Sequence, residues 1–251
     1  MPLPLPGTAD SKDIKNKMIR VFQRHCLFSP NSEHKGRPEW FDREKMFDSF
    51  RSTLDNRVEL TCMFDSGRGG VENHFLATKD VKVVSLEGGN DAISFLNVLN
   101  YIKEQNYDDN DIIYFLEDDY IHKPGWIDIL EEGFAYIEAD YYTLYDHPDK
   151  YGPTSYPMLY DDLVSKVLAT PSIHWRTIPN TTNTYACRYK TLVKHFDIHI
   201  KYCDLVEKWT KDSHKFAELW EKGSNLISCI PGYSAHVESN MLSPTVDWSK
   251  I

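Results

Sequence analysis

Along the first half of the chain, short apolar runs alternate with longer stretches in which apolar residues recur every three or four positions. Residues 18–22 (MIRVF), 58–64 (VELTCMF), 81–86 (VKVVSL) and 112–116 (IIYFL) predict four strands. Trp40, Phe47, Phe50 and Leu54 fall at helical spacing and predict a helix over residues 40–54. A second helix opens at Gly88-Gly89-Asn90-Asp91, with Ala92, Phe95, Leu96, Leu99 and Ile102 on one face and Asn90 or Asp91 as its cap. A third runs from Pro124 or Gly125 to Phe134, since the missing N–H of proline is no loss in a first turn.

The second half is less regular. Residues 139–145 predict a strand and residues 146–157 (DHPDKYGPTSYP) a loop. Residues 173–177 and 184–189 predict strands on either side of a turn at Pro179-Asn180. A helical run lies within residues 208–221, where Phe216, Leu219 and Trp220 are apolar, and residues 226–230 predict a last strand before Pro231-Gly232.

Strands alternating with helices predict an α/β fold, Rossmann-like, with a mostly parallel central sheet flanked by helices and right-handed crossovers. The less regular half reads as a small mixed extension of the same domain, so the chain divides into a leader at 1–17 and one domain at 18–251, in halves 18–145 and 146–251. Ligands of such sheets collect at the carboxyl ends of the strands. Asp65, Gly88 to Asp91 and Glu117 to Asp119 each follow a strand directly, so all three should line one edge.

Composition narrows the partners. A hydrophobic share of 41% with 13% aromatics excludes a disordered chain, and the 15 tyrosines suit a cleft for polar, ring-shaped ligands. The net charge of −10, without a dense cluster of Lys and Arg, argues against nucleic acid. An acidic chain that binds phosphates needs a local remedy, such as a metal ion. Cys26, Cys62, Cys187, Cys203 and Cys229 show neither CxxC nor CxxH spacing, which argues against zinc and a disulfide framework and for a reducing, cytoplasmic setting. No stretch approaches the ~20 apolar residues of a membrane span, so any membrane association would be peripheral.

The stretch Tyr114 to Trp126 (YFLEDDYIHKPGW) carries the chemistry. Adjacent carboxylates repel one another, so Glu117-Asp118-Asp119 needs either free solvent or a cation. A solvated turn is the plain reading. The apolar run leads straight into the triplet, however, which puts it at the ligand edge, where oxygen donors suit Mg²⁺ or Mn²⁺ bridging a diphosphate.

A strand ending in an acidic triplet, an Asp after an earlier strand (Asp65) and a Gly-Gly-Asn helix start between them resemble the GT-A glycosyltransferases, in particular their family-two-like, inverting branch. Their DxD-type motif occurs in some members as EDD. The resemblance spans roughly residues 18–238, with only the motifs specific. It implies that Asp119 ligates Mn²⁺ (or Mg²⁺), with Glu117 and Asp118 reaching the ribose or the metal's waters. It implies a second ligand in His236 of PGYSAHVE, where neutral imidazole suits Mn²⁺ better than Mg²⁺. Taken alone, a single His is more often a surface or core residue.

The same resemblance places Arg24 and His25 near the nucleotide base and gives Asp65 hydrogen bonds from base or ribose, although Asp65 equally caps the turn Gly67-Arg68-Gly69-Gly70. Arg68 would offset diphosphate charge, and Gly89 and Asn90 would hold sugar or ribose through backbone N–H groups. The base that takes the acceptor proton would be Asp212, which also reads as a helix N-cap, with Asp204 and Asp197 as substitutes. The Glu-Asp pair usual in the family at that point is absent. Residues 173–176 (IHWR) and 179–185 (PNTTNTY) are polar and aromatic where acceptor contacts are expected, and the glycosylation pattern Asn180-Thr181-Thr182 is expected to go unused.

The implied activity is metal-dependent transfer of a sugar from a nucleotide-diphosphate sugar to a hydroxyl of a glycan or glycoconjugate, with inversion. Two rivals stand beside it. A sugar nucleotidyltransferase normally has a Gly-rich, basic loop after its first strand, whereas residues 25–31 (HCLFSPN) contain no Gly. A silent carbohydrate-binding protein on the same scaffold would be expected to lack the carboxylates.

Overall fold

In the computed structural model, which describes residues 17–151 and 163–251, strand β1 (Ile19–Cys26) lies parallel to and between β2 (Val58–Asp65) and β4 (Ile112–Glu117), with β3 (Lys82–Leu86) outside β2. All but one residue of the leader, and residues 152–157 of the expected loop, lie outside the described residues. The register pairs Arg24 with Glu117, Cys26 with Asp65 and Asp65 with Leu86, so the strands end in one row. That row is the expected ligand edge.

The later strands are β5 (Tyr120–His122), β6 (Tyr141–Thr143), β7 (Val167–Ala169), β8 (His174–Thr177), β9 (Tyr185–Arg188), β10 (Cys203–Asp204), β11 (Trp209–Thr210), β12 (Leu226–Ile230) and β13 (Ser234–His236). Nine strands form the main sheet in the order β3-β2-β1-β4-β9-β6-β12-β8-β7. The first four are mutually parallel. Beyond them β9 runs antiparallel to both β4 and β6, and β8 antiparallel to β12 and β7, so the sheet is mixed.

The inner strands are buried on both faces, and each face has its own core. Tyr114 and Leu116 pack with Phe50 and with Trp126 and Leu130 of the helix Trp126–Tyr136. Ile113 and Phe115 pack on the other side against Phe95, Leu99 and Ile102 of the helix Asp91–Glu104. This two-sided burial is why IIYFL reads as a continuous apolar run.

Caps decide where the helices begin. Asn90 accepts from Ile93 N at 3.1 Å, which makes it the cap of Asp91–Glu104. Asp42 accepts from Lys45 N at 2.9 Å and starts its helix at Arg43, so Trp40, expected inside the helix, stands before it and packs near Met46 instead. Pro124 also lies outside its helix, because Gly125 turns the chain at φ 85 before Trp126. The helical run expected within 208–221 splits in two. Thr210 is drawn into β11 by the Asp91 carboxylate, which accepts from its backbone N and from Oγ1, both at 2.8 Å, and the helix starts only at Asp212.

The short strands β5 and β13 pair antiparallel, Tyr120 opposite His236. That pair brings a residue 117 positions away onto the acidic triplet. Among the described residues no helix is long and apolar enough to cross a membrane, and all five cysteines are free.

Candidate functional site

At the row of strand ends lies a cleft of about 560 Å³, lined by the residues nominated for nucleotide, metal and catalytic base, whereas of the expected acceptor segments 173–176 and 179–185 only Thr182 and Asn183 reach it. Arg24 and His25 come from the end of β1, Asp65 from the end of β2, and Arg68, Gly89 and Asn90 from the turns that follow β2 and β3. Glu117, Asp118 and Asp119 follow β4, while Asp212 and His236 arrive from the second half of the chain. The substitutes for Asp212 do not line it. Asp204 instead accepts from Val206 N and Glu207 N at 2.9 Å and pairs with Lys211 at 2.7 Å, and Asp197 lies in the helix Phe196–Lys201.

Each acid of the triplet has its own cation. Glu117 Oε1 pairs with Arg24 Nη2 at 2.7 Å, Asp118 Oδ2 with Arg43 Nε at 3.3 Å, and Asp119 Oδ2 with Arg37 Nη2 at 2.8 Å and Lys35 Nζ at 3.1 Å. Burial raises Glu117 above its ordinary value against the pull of Arg24. Burial and the neighbouring Asp119 charge push Asp118 up to about 6, although Arg43 opposes them. For Asp119 burial is outweighed by His236, Lys35 and Arg37, which hold its carboxyl well below the usual range.

The fit of a metal ion is decided at Asp119 and His236. Asp119 Oδ2 and His236 Nε2 lie 3.0 Å apart, and Lys35 Nζ reaches the imidazole at 3.0 Å as well. Lys35 Nζ and Asp119 Oδ2 thus meet the same ring nitrogen, while Nδ1 lies 3.8 Å from Glu238 Oε2. Two acceptors converge as metal ligands would, yet a cation of the chain already stands on both. Among the described residues no group of three or more His, Cys, Asp or Glu is placed to hold a metal ion. The expected Mn²⁺ or Mg²⁺ therefore does not fit the donor atoms as they stand.

Asp65 spends its acceptor capacity on the chain. Oδ1 takes Gly67 N at 2.9 Å, Gly88 N at 3.0 Å and Gly89 N at 2.8 Å, and Oδ2 takes Gly89 N again at 3.0 Å. This is the capping role, and it extends to the Gly88-Gly89 turn, whose amides were expected to serve the sugar. A side chain at Gly88 would meet Asp65 Oδ2 at 2.6 Å, which explains the glycine. Arg68 bonds Gly89 O at 3.2 Å and lies exposed beside the Phe28 ring. His25 is different. It is 2% exposed, neither ring nitrogen has a partner among the described residues, and burial holds it well below the ordinary histidine range, hence neutral. Phe47, His74 and Phe75 meet its ring edge-on.

Asp212 is the first residue of the helix Asp212–Glu221, whose cap is Lys211, so the capping role does not fall to it. Its Oδ1 stands 3.5 Å from Lys215 Nζ, and Lys215 is anchored on Asn183 Oδ1 at 2.6 Å. Burial raises Asp212 above its ordinary value while Lys215 opposes it, as suits a proton acceptor.

Sequence reasoning missed Lys35, Arg37, Arg43 and Trp209, and it placed Asp91 at this edge without its ion pair. Asp91 binds Arg24 Nη1 at 2.8 Å as well as Thr210, and so joins β1 to the β10–β11 hairpin. The run Lys35-Gly36-Arg37, with Arg43 after it, offered a signal, as basic residues following a first strand in an acidic chain. Trp209 is 53% exposed at the cleft, an unusual place for an indole.

No family model matches the chain, and no curated protein matches it. Among solved structures it is similar to the 4-diphosphocytidyl-2C-methyl-D-erythritol synthase of Anaerococcus prevotii, with a TM-score of 0.49 and 13% identity, over 93% of this chain and 92% of that chain. The likeness is slight.

Proposed function

We propose that the cleft binds a nucleoside-diphosphate sugar and transfers the sugar to a hydroxyl of a glycan or glycoconjugate. The observation that carries this reading is that Asp212, raised by burial, faces the same cleft as the triplet and its cations, although the two come from opposite halves of the chain. A proton acceptor and a cationic bed for a leaving diphosphate are the two things sugar transfer requires.

In this scheme the acceptor oxygen bonds to the anomeric carbon as the bond from that carbon to the phosphate oxygen breaks. The hydroxyl proton passes to the Asp212 carboxylate, and the nucleoside diphosphate departs with the electron pair. Attack opposite the leaving group inverts the configuration. Lys35 and Arg43 line the cleft where the diphosphate charge would develop, and His25, whose buried ring nitrogens have no partner among the described residues, lines it at the end of β1, where this scheme puts the base. Trp209 offers a face for an acceptor sugar to stack on. No step in the scheme passes through a divalent cation. Free thiols fit a reducing compartment, so we place the protein in the cytoplasm.

One observation favours nucleotidyl transfer as a second reading, namely that Lys35, Arg37 and Arg43 follow β1 where such enzymes hold a triphosphate. The two separate by product. Incubation with UDP-, GDP- and dTDP-sugars and mixed glycan acceptors should release a nucleoside diphosphate and extend an acceptor. Pyrophosphate released from a nucleoside triphosphate and a sugar phosphate, with no sugar transfer, would replace the first reading by the second.

A further inference from the structure

Lys35 stands where a metal ion was expected. Its Nζ lies 3.1 Å from Asp119 Oδ2 and 3.0 Å from His236 Nε2, and the backbone on either side of it is fixed. Ser239 N donates to Gly36 O at 2.9 Å, and Arg37 Nη1 donates to Val237 O, so the lysine segment is laced to the strand end that carries His236. Arg37 Nη2 shares the same Asp119 oxygen at 2.8 Å. A divalent ion entering between Asp119 and His236 would have to expel the ammonium and then sit beside this guanidinium, like charge against like charge.

We propose that Lys35 is the built-in counter-cation of the ligand's diphosphate, and that Asp119 and His236 act on the reaction as positioning residues for its ammonium rather than as metal ligands. The inference rests on the reading that the cleft takes a diphosphate. An ammonium has three N–H donors, and Asp119 and the His236 ring take at most two. The third is left for a phosphoryl oxygen, and the lysine side chain is 28% exposed and lines the cleft together with Arg43. Arg37, backed by the Phe41 ring at 4.4 Å, places a second charge on the same Asp119 oxygen. The chain thus supplies the phosphate remedy that its acidity requires.

The test uses the full chain stripped with a chelator, with Mn²⁺ alone and inorganic pyrophosphate alone as probes. Electron paramagnetic resonance should show Mn²⁺ remaining free in the presence of the wild type. Calorimetry in chelator should show pyrophosphate binding that Lys35→Met weakens about tenfold or more and Lys35→Arg largely keeps, the size expected for one charge-assisted hydrogen bond. Lys35→Met should also begin to take up Mn²⁺, because the ammonium then leaves both His236 and Asp119, although Arg37 still bonds the Asp119 oxygen. One Mn²⁺ bound per wild-type chain and lost in Asp119→Asn would overturn the inference, as would pyrophosphate binding that needs Mn²⁺ or that Lys35→Met leaves unchanged. The function is separately exposed. Sugar transfer that requires Mn²⁺ sinks the role of Lys35 and leaves the transferase, whereas pyrophosphate held by Lys35 with no nucleotide sugar ever consumed does the reverse.

Discussion

Arg24 Nη2 meets Glu117 Oε1 at 2.7 Å across two strand ends that face each other in register, and Nη1 of the same guanidinium reaches Asp91 at 2.8 Å. One planar fork thus joins β1, β4 and the start of the helix Asp91–Glu104. Through Asp91 it also holds Thr210, two residues before Asp212. The edge of the sheet and the proposed base are therefore parts of one hydrogen-bonded assembly.

Arg24→Met should be among the most damaging changes at the cleft. Its side chain is 11% exposed, and its loss leaves Glu117 partly buried without its cation and Asp91 with Thr210 alone. Breaking such a pair costs about 3 kcal/mol or more, and a neutral Glu117→Gln should cost clearly less. Denaturant midpoints will show it. A loss below ~1 kcal/mol for Arg24→Met would mean that solvent screens the fork.

Asp118 works against the fold at neutral pH. In the folded chain burial and Asp119 keep its proton on up to about 6, against an ordinary value of 3.8. The folded state therefore binds the extra proton between those values, and the ionised group costs stability above the upper one. Asp118→Asn should stabilise the protein by roughly 1–2 kcal/mol at pH 7.5, less than the shift alone implies because Arg43 loses its partner. The gain should shrink as pH falls through 6 and vanish below 4. Thermal melts across that range decide it, and a destabilised variant at pH 7.5 would show that Arg43 needs the carboxylate more than the triplet suffers from it.

What was legible in the sequence, and what was not, follows from the range of the interactions. The parallel strands announced themselves because burial on both faces writes an unbroken apolar run such as IIYFL. Asn90 was readable as a cap because capping is local. The β5–β13 pair was not, since its members are three residues long and 114 apart at Tyr120 and Ser234, with no period to detect. The acidic triplet was readable as lying at the row of strand ends. Its counter-charge was not found, because Lys35, Arg37 and Arg43 lie in an irregular segment and only the folded chain brings them onto the carboxylates. Trp209 went unnoticed for a similar reason, hidden inside what looked like the lead-in of a helix.

Trp209 gives a test of the acceptor side. Its Nε1 donates to Glu207 Oε2 at 2.7 Å, which orients an exposed ring at the cleft. Trp209→Ala should raise the acceptor KM about tenfold or more, the value of a sugar stacked on an indole, while donor hydrolysis without acceptor stays within twofold of wild type. If donor hydrolysis falls in parallel, the ring supports the cleft rather than the acceptor.

Asp212 should govern the pH dependence. A base works only when ionised, and burial raises this carboxyl above the ordinary 3.8 although Lys215 pulls it down. The rate should therefore fall on acidification from a pH higher than an exposed aspartate would set, and hold level above it until another group titrates. Lys215→Met removes the opposing charge and should move that acid limb to still higher pH. Asp212→Asn should lose ~10²–10⁴ in kcat with donor binding intact and should no longer show the limb. The combination matters, because a mere loss of activity would also follow from a damaged helix start. An Asp212→Asn enzyme within tenfold of wild type, or one keeping the same acid limb, would place the proton acceptor elsewhere.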